Sequence, residues 1–518
     1  MKKIKCLSLL LCLSLFLQGV FLPVSAAQTQ DPSQTTGATE PSGGTSVNDS
    51  QQTVDVPFGT ASIQNGCRTI EGMVPLAGSE KVLDTAQAAF LFEVNTGTVV
   101  YSYNPDTKLH PGVLAKIVLA MVVLENCEMD DVVTVTEGIQ SYLPANANAM
   151  QPEKLKSNEH ITVGDLLYGS ILINANDAAV ALAHHVSGTT DAFLTLMTNK
   201  VKQLGCVNTE FGNISGLYTA VSYSTARDMT KIMLAALENE TLKEIMGTAS
   251  YTIPATDLAE ERTFKTSNYM MEKSVVPDFY DTRVKGGMQS YSEQTGASLV
   301  CYATNAKDAE EGEEVDNTGS MMFIGVILGA TRTYEEKGWP VKTYGNFNEM
   351  TDLLKLGFNN YKVNRIVYDG MSLSQFTVAG GECSAVGQAA VNIDSVVPNK
   401  AQMTNLIMNF SVEGGGLSAP IAKNQLIATV QIKYRDCIMA EAEVYSMSEV
   451  RAAANTGVTI RSTAAKSDSG GSGFLSVIGT ICVIVLGLAA VYLTFNAYMR
   501  NRMRARRRRR RAERRRNR

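Results

Sequence analysis

Residues 474–495 run Phe-Leu-Ser-Val-Ile-Gly-Thr-Ile-Cys-Val-Ile-Val-Leu-Gly-Leu-Ala-Ala-Val-Tyr-Leu-Thr-Phe without a charge, and thirteen Arg with one acid, Glu513, fill residues 500–518. About 20 apolar residues suffice to cross a bilayer. Basic residues stay on the cytoplasmic side. The pattern predicts a single C-terminal transmembrane helix over 474–495, a basic cytoplasmic tail over 496–518 and an outward-facing body before them. The tail abuts the span, so its expected partners are anionic lipid head groups and not nucleic acid. At the other end, Lys2, Lys3 and Lys5 precede the apolar run from Leu7 to Val20, and Val24-Ser25-Ala26 fits a cleavage site. This predicts a signal peptide over residues 1–26. Both ends are basic although the formal net charge is −5, so the body between them is strongly acidic. The expected location is the cell membrane, single-pass, with the body extracytoplasmic.

Within that frame, residues 27–79 begin with a stretch rich in Gln, Thr, Ser, Gly and Pro that cannot bury enough apolar surface to fold, and they read as a tether. Residues 80–362 form the main body. Ala88 to Glu93 and Thr98 to Tyr103 flank Asn95-Thr96-Gly97 and predict a hairpin. Pro111 opens a helix carrying Val113, Ile117, Ala120, Met121 and Leu124 at helical spacing. Further helical runs cover Thr162 to His184, with Thr162 as N-cap, Ala192 to Leu204, and Ser224 to Leu237. Strands follow at Ser298–Thr304 and Met321–Leu328. Helices between flanking strands imply an α+β domain, a sheet closed by the first and last segments and packed on a helical lobe. Short alternating stretches over 363–447 predict a small all-β domain, and 448–473 a polar stalk. Six Cys fall in the outward-facing body, at 67, 127, 206, 301, 383 and 437, and read mostly as small buried hydrophobes. His110, His160, His184 and His185 show no metal-ligand spacing, so neither metal nor cofactor is expected.

Five ordered landmarks carry chemistry. The stretch from Ala88 to Tyr101 leads into Lys108–Glu125, a helix bearing Lys116. Residues 165–183 contain Asn174-Ala175-Asn176. Asn213-Ile-Ser-Gly-Leu and Ser224-Thr-Ala-Arg-Asp-Met follow, then Val284-Lys285-Gly286-Gly287. Their order and spacing over residues 80–445 resemble the serine-type D-Ala-D-Ala carboxypeptidases, the S11 group of low-molecular-weight penicillin-binding proteins. That resemblance implies a penicillin-binding/β-lactamase-like transpeptidase domain with an antiparallel sheet and helical lobe.

The resemblance also implies a Ser-x-x-Lys nucleophile helix, a Ser-x-Asn and a Lys-Thr-Gly. In that chemistry a serine hydroxyl attacks, a neutral lysine takes its proton, and backbone N–H groups hold the oxyanion. Carried onto this chain, the nucleophile position is Val113, with Lys116 kept. The Ser of the second motif is Asn174, with Asn176 kept. The Thr of the third is Gly286, between Lys285 and Gly287. All three hydroxyls are missing, each beside a retained partner. The expectation is a catalytically dead pseudo-peptidase that binds or scaffolds in peptidoglycan maintenance. Its expected partners are stem peptides or another cell-wall enzyme. Lys116, if buried, is expected to find hydrogen-bond partners in Asn176, with Asn174 a second candidate, or else to keep a ligand-binding role. The alternative is an active carboxypeptidase trimming stem peptides. It needs another nucleophile, for which Ser141 is the candidate. A third reading, a plain adhesin or structural surface protein, implies no binding to peptidoglycan fragments.

Overall fold

Strand-forming runs that are apolar on both faces need a cover on both faces, and the main sheet satisfies this. The computed structural model describes residues 62–64, 67–70, 73–77, 81 and 83–454, apart from 145–146, 275, 308–316 and 335–340. These belong to one compact unit, Phe58–Arg518. The other unit, Met1–Pro57, and with it the expected signal peptide, lies outside the described residues, as do the expected transmembrane helix and basic tail. Among the described residues, no helix is long and apolar enough to cross a membrane.

The main sheet has five antiparallel strands, β1 (Ala88–Glu93), β2 (Thr98–Tyr103), β3 (Val284–Ser292), β4 (Gly296–Thr304) and β5 (Met322–Ala330), in the order β2-β1-β5-β4-β3. The first and last segments thus pair at its centre, with Phe90 opposite Val326. Alternation sends Phe90 and Phe92 to one face and Ala89 and Leu91 to the other.

The first face packs on a helical lobe: α1 (Lys116–Leu124), α2 (Val163–Leu172), α3 (Asn176–Ser187), α4 (Thr190–Gln203), α5 (Ala226–Leu237) and α6 (Glu240–Gly247). The second face is covered by α7 (Gly345–Asn360), through Phe347, Met350, Leu353 and Leu354. Its core continues into an all-strand region. There β6 (Tyr361–Val367) pairs with β9 (Ile393–Pro398). A five-stranded sheet is formed by β7 (Ser372–Phe376), β8 (Ala385–Ala389), β10 (Leu406–Ser411), β11 (Leu426–Tyr434) and β12 (Cys437–Ser446), in the order β7-β8-β12-β11-β10.

Local chemistry explains the helix starts. Thr162 caps α2 as expected, its Oγ1 accepting from Asp165 N–H at 3.1 Å. Thr189 and Thr225 cap α4 and α5 in the same way. The single helix expected over Thr162 to His184 is two helices. They break at Ile173–Ala175 because Asn174 adopts a left-handed φ of 60° and Ala175 is extended. Asn tolerates that region better than most residues.

A buried ion pair anchors the hairpin of Ser250–Ile253 and Arg262–Lys265. Arg262 Nη1 and Nη2 reach Glu159 Oε1 and Oε2 at 2.7 and 3.1 Å. Their side chains are 1% and 0% exposed. Removing one partner strands the other charge in the interior. Glu159→Ala is expected to cost about 3–5 kcal/mol in urea unfolding. A loss below about 1 kcal/mol would show that water replaces the carboxylate.

Candidate functional site

The site starts where a glycine lets the chain turn into α1. Gly112 has φ +60°, and a Cβ there would sit 2.0 Å from Ser290 Oγ, so only glycine fits. Gly112–Ala115 form one tight turn that runs into α1 and places Val113 at the cleft, half-buried. No side chain at 113 offers a nucleophile. The Val113 N–H donates to Ser290 Oγ at 3.1 Å.

A loop closes over the same turn. Asn213 Oδ1 accepts from Ser215 N–H, Ser215 Oγ and Gly216 N–H at 3.1, 3.1 and 2.8 Å. This holds Gly216 at φ +74°, where a Cβ would lie 2.2 Å from Gly112 O and 2.6 Å from Val113 Cα. His110 flanks it, with Nδ1 accepting from Gly112 N–H at 3.0 Å and its ring stacked on Tyr218 at 5.3 Å. Burial holds the His110 ring below the usual imidazole range.

Lys116, one turn further, is fully buried. Its Nζ donates to the backbone carbonyls of Asn174 at 2.7 Å and Ala175 at 3.3 Å. Asn174 thus supplies a partner, as expected, through its backbone carbonyl, and Ala175 in place of Asn176 supplies the other. The break between α2 and α3 turns two carbonyls toward the lysine, and backbone oxygens need no particular side chain. Desolvation pulls the ammonium down to about 7, with Asp177 opposing it. Near neutral pH Lys116 is therefore a poised proton acceptor. Asp177 itself is spent on structure, accepting from Met150 N–H at 2.9 Å and Leu155 N–H at 3.0 Å.

Asn174 Nδ2 donates to Ser267 Oγ at 3.3 Å, while Asn174 Oδ1 and Asn176 Oδ1 are buried without a hydrogen-bond partner. Such acceptors are costly inside a protein. Both lie out of solvent's reach beside the Lys116 ammonium.

Lys285–Gly287 stand elsewhere on β3. Lys285 precedes Ser290 by five positions, about 16 Å of extended strand. Gly286 pairs with Tyr302, and a Cβ there would lie 2.3 Å from the Tyr302 ring. That ring, 5% exposed, occupies the space a threonine side chain would need. Gly287, at φ +142°, faces Val300 O at a distance that admits no Cβ. The fold thus gathers Val113, Lys116, Asn174 and Asn176 and brings Ser290 to them, while Lys285–Gly287 pack beside α6. Ser141, in the short helical turn Ile139–Tyr142, is exposed and has its N–H bonded to Gly138 O.

Sequence reasoning missed Ser290, Ser267 and Tyr302. Gly216 falls in the Asn213-Ile-Ser-Gly-Leu stretch, but its contact with Val113 has no sequence signal. Ser290 meets Val113 only through strand register.

Comparison with known proteins agrees with this architecture. The family described as Peptidase_S11, D-alanyl-D-alanine carboxypeptidase, matches residues 78–309. D-alanyl-D-alanine carboxypeptidase DacF of Bacillus subtilis is 25% identical over 368 residues, 71% of this chain and 86% of that protein. The structure of penicillin binding protein 5 from Haemophilus influenzae superposes with a TM-score of 0.53 at 26% identity, covering 72% of this chain and all of that one. The D-alanyl-D-alanine carboxypeptidase DacD from Francisella tularensis has a TM-score of 0.56 at 20% identity, covering 74% and 97%, and supports the fold alone.

Proposed function

Because this chain belongs to the D-alanyl-D-alanine carboxypeptidase (peptidase S11) family, we propose that it is a membrane-tethered cell-wall pseudo-peptidase that holds stem-peptide ligands without cutting them. One observation carries this reading. The nucleophile position is a valine whose backbone N–H is already engaged by Ser290 Oγ. Acyl transfer needs a hydroxyl there and a free N–H for the oxyanion. Tethering rests on the charge-free run at 474–495 and the arginines after it. The interior-facing tail would then lie on anionic lipid, and a cell-wall enzyme is an alternative occupant of the outer surface.

The rival is an active serine carboxypeptidase. It is favoured by Lys116, which keeps the proton-accepting character of a working base. It requires a nucleophile other than residue 113. Intact mass of the full chain after incubation with a fluorescent penicillin separates the two. The pseudo-peptidase predicts no adduct, together with saturable binding of a D-Ala-D-Ala peptide. A stoichiometric adduct would identify a working serine and return the active reading.

A further inference from the structure

The two helices that begin at the cleft end together on the far side of the lobe. Lys116 opens α1 and Asn176 opens α3. Beyond the end of α1, Cys127 closes back on Val123 O at 2.9 Å, and Asp131 leads into the short strand Val132–Thr134. His185 lies in the last turn of α3. The Cys127 sulfur, an Asp131 carboxylate oxygen and a His185 ring nitrogen all lie within 4.8 Å of one another. They come from segments more than fifty positions apart, so only the fold assembles them.

We propose that Cys127, Asp131 and His185 form a zinc-class divalent metal site that staples the end of α1 to the end of α3. The donor set is one thiolate, one carboxylate and one imidazole. Zn²⁺ takes these three ligand types at about 2.0–2.3 Å in tetrahedral geometry. Ligand atoms around such an ion stand roughly 3.3–3.7 Å apart, inside the 4.8 Å within which these three lie, so at most a small side-chain adjustment completes the site. Asp131 and His185 are exposed and Cys127 is half-buried, which permits that adjustment and leaves a fourth position for water.

The other calls on these groups are light. Asp131 Oδ2 accepts from Glu128 N–H at 2.9 Å, which fixes the carboxylate and leaves Oδ1 available. Cys127 is a free thiol. No hydrogen bond engages its sulfur or the His185 ring among the described residues. A soft thiolate beside an imidazole selects Zn²⁺ over Mg²⁺ or Ca²⁺, which prefer all-oxygen ligands. Binding requires the thiol and the imidazolium to lose their protons, so affinity falls as pH drops.

The test uses the full chain in detergent, reduced and stripped with a chelator, titrated with Co²⁺ and then Zn²⁺. One equivalent of Co²⁺ is expected to give a thiolate-to-metal charge-transfer band that Zn²⁺ abolishes. Cys127→Ser is expected to remove the band. Asp131→Asn and His185→Ala are expected to weaken binding at least about tenfold. Zn²⁺ should raise the Tm of the wild type and not that of His185→Ala. His185 is exposed, so that variant folds and its unshifted Tm is interpretable. Absence of a stoichiometric band, or a band and Tm shift unchanged in the three variants, would overturn the site.

Discussion

Val113→Ser will be acylated by a penicillin only slowly, roughly 10²–10³-fold below a serine whose N–H is free for the oxyanion. Loss of a nucleophile alone is worth on the order of 10⁶ in rate, so restoring the hydroxyl would be expected to recover most of it if nothing else had changed. Two features around it oppose that recovery. The Val113 N–H donates to Ser290 Oγ at 3.1 Å, in the place where a developing oxyanion would have to sit. Losing one such donor costs on the order of 10²–10³. The Gly112–Val113 turn is also roofed by Gly216, which leaves the backbone no room to shift. Freeing the N–H is therefore the decisive second change. Val113→Ser with Ser290→Gly should label roughly 10²-fold faster than Val113→Ser alone. A time course of intact mass decides it. Equal labelling by single and double variants would show that the Ser290 hydroxyl swings away at no cost.

Lys116→Met is expected to flatten the pH dependence of stability above neutrality. The folded-state lysine titrates at about 7 against an ordinary 10.5. Below pH 7 both states carry the proton, and the folded state bears the cost of a buried ammonium. Between about 7 and 10.5 the unfolded chain holds more protons than the folded one, so the contribution of Lys116 to stability rises with pH. From pH 7 to pH 9 that rise is about 2 kcal/mol, and it disappears in the methionine variant. Urea unfolding of both proteins at pH 7, 8 and 9 reads it directly, because other titrating groups cancel in the difference. Parallel profiles would mean that water reaches the ammonium and that Lys116 is no poised base.

The same two residues show where a sequence can be read and where it cannot. The valine at 113 and the lysine at 116 are visible as letters, and the missing hydroxyls at 113, 174 and 286 follow from alignment of ordered landmarks. What those residues touch is not visible. The sequence offers Asn176 and Asn174 as partners for Lys116, and the lysine bonds to the backbone carbonyls of Asn174 and Ala175. A left-handed Asn174 splits a continuous apolar pattern into α2 and α3, and that break turns the carbonyls inward. Periodicity reports which face is apolar, and it is blind to one residue's change of φ.

Local signals alone determined much of the framework. The hairpin of β1 and β2, the cap at Thr162, the helices α4 and α5, and the α+β order of strands around helices all rest on contacts within a few residues, which the chain carries in its own spacing. Tertiary structure alone decided that Ser290 covers the Val113 N–H, that Tyr302 fills the space beside Gly286, that the Lys285 segment packs beside α6, and that Cys127, Asp131 and His185 meet. Each of these joins residues distant in sequence through strand register or helix packing. A shift of one position in a strand reverses its faces. No local pattern encodes such a shift, because the energy that sets it belongs to the assembled core.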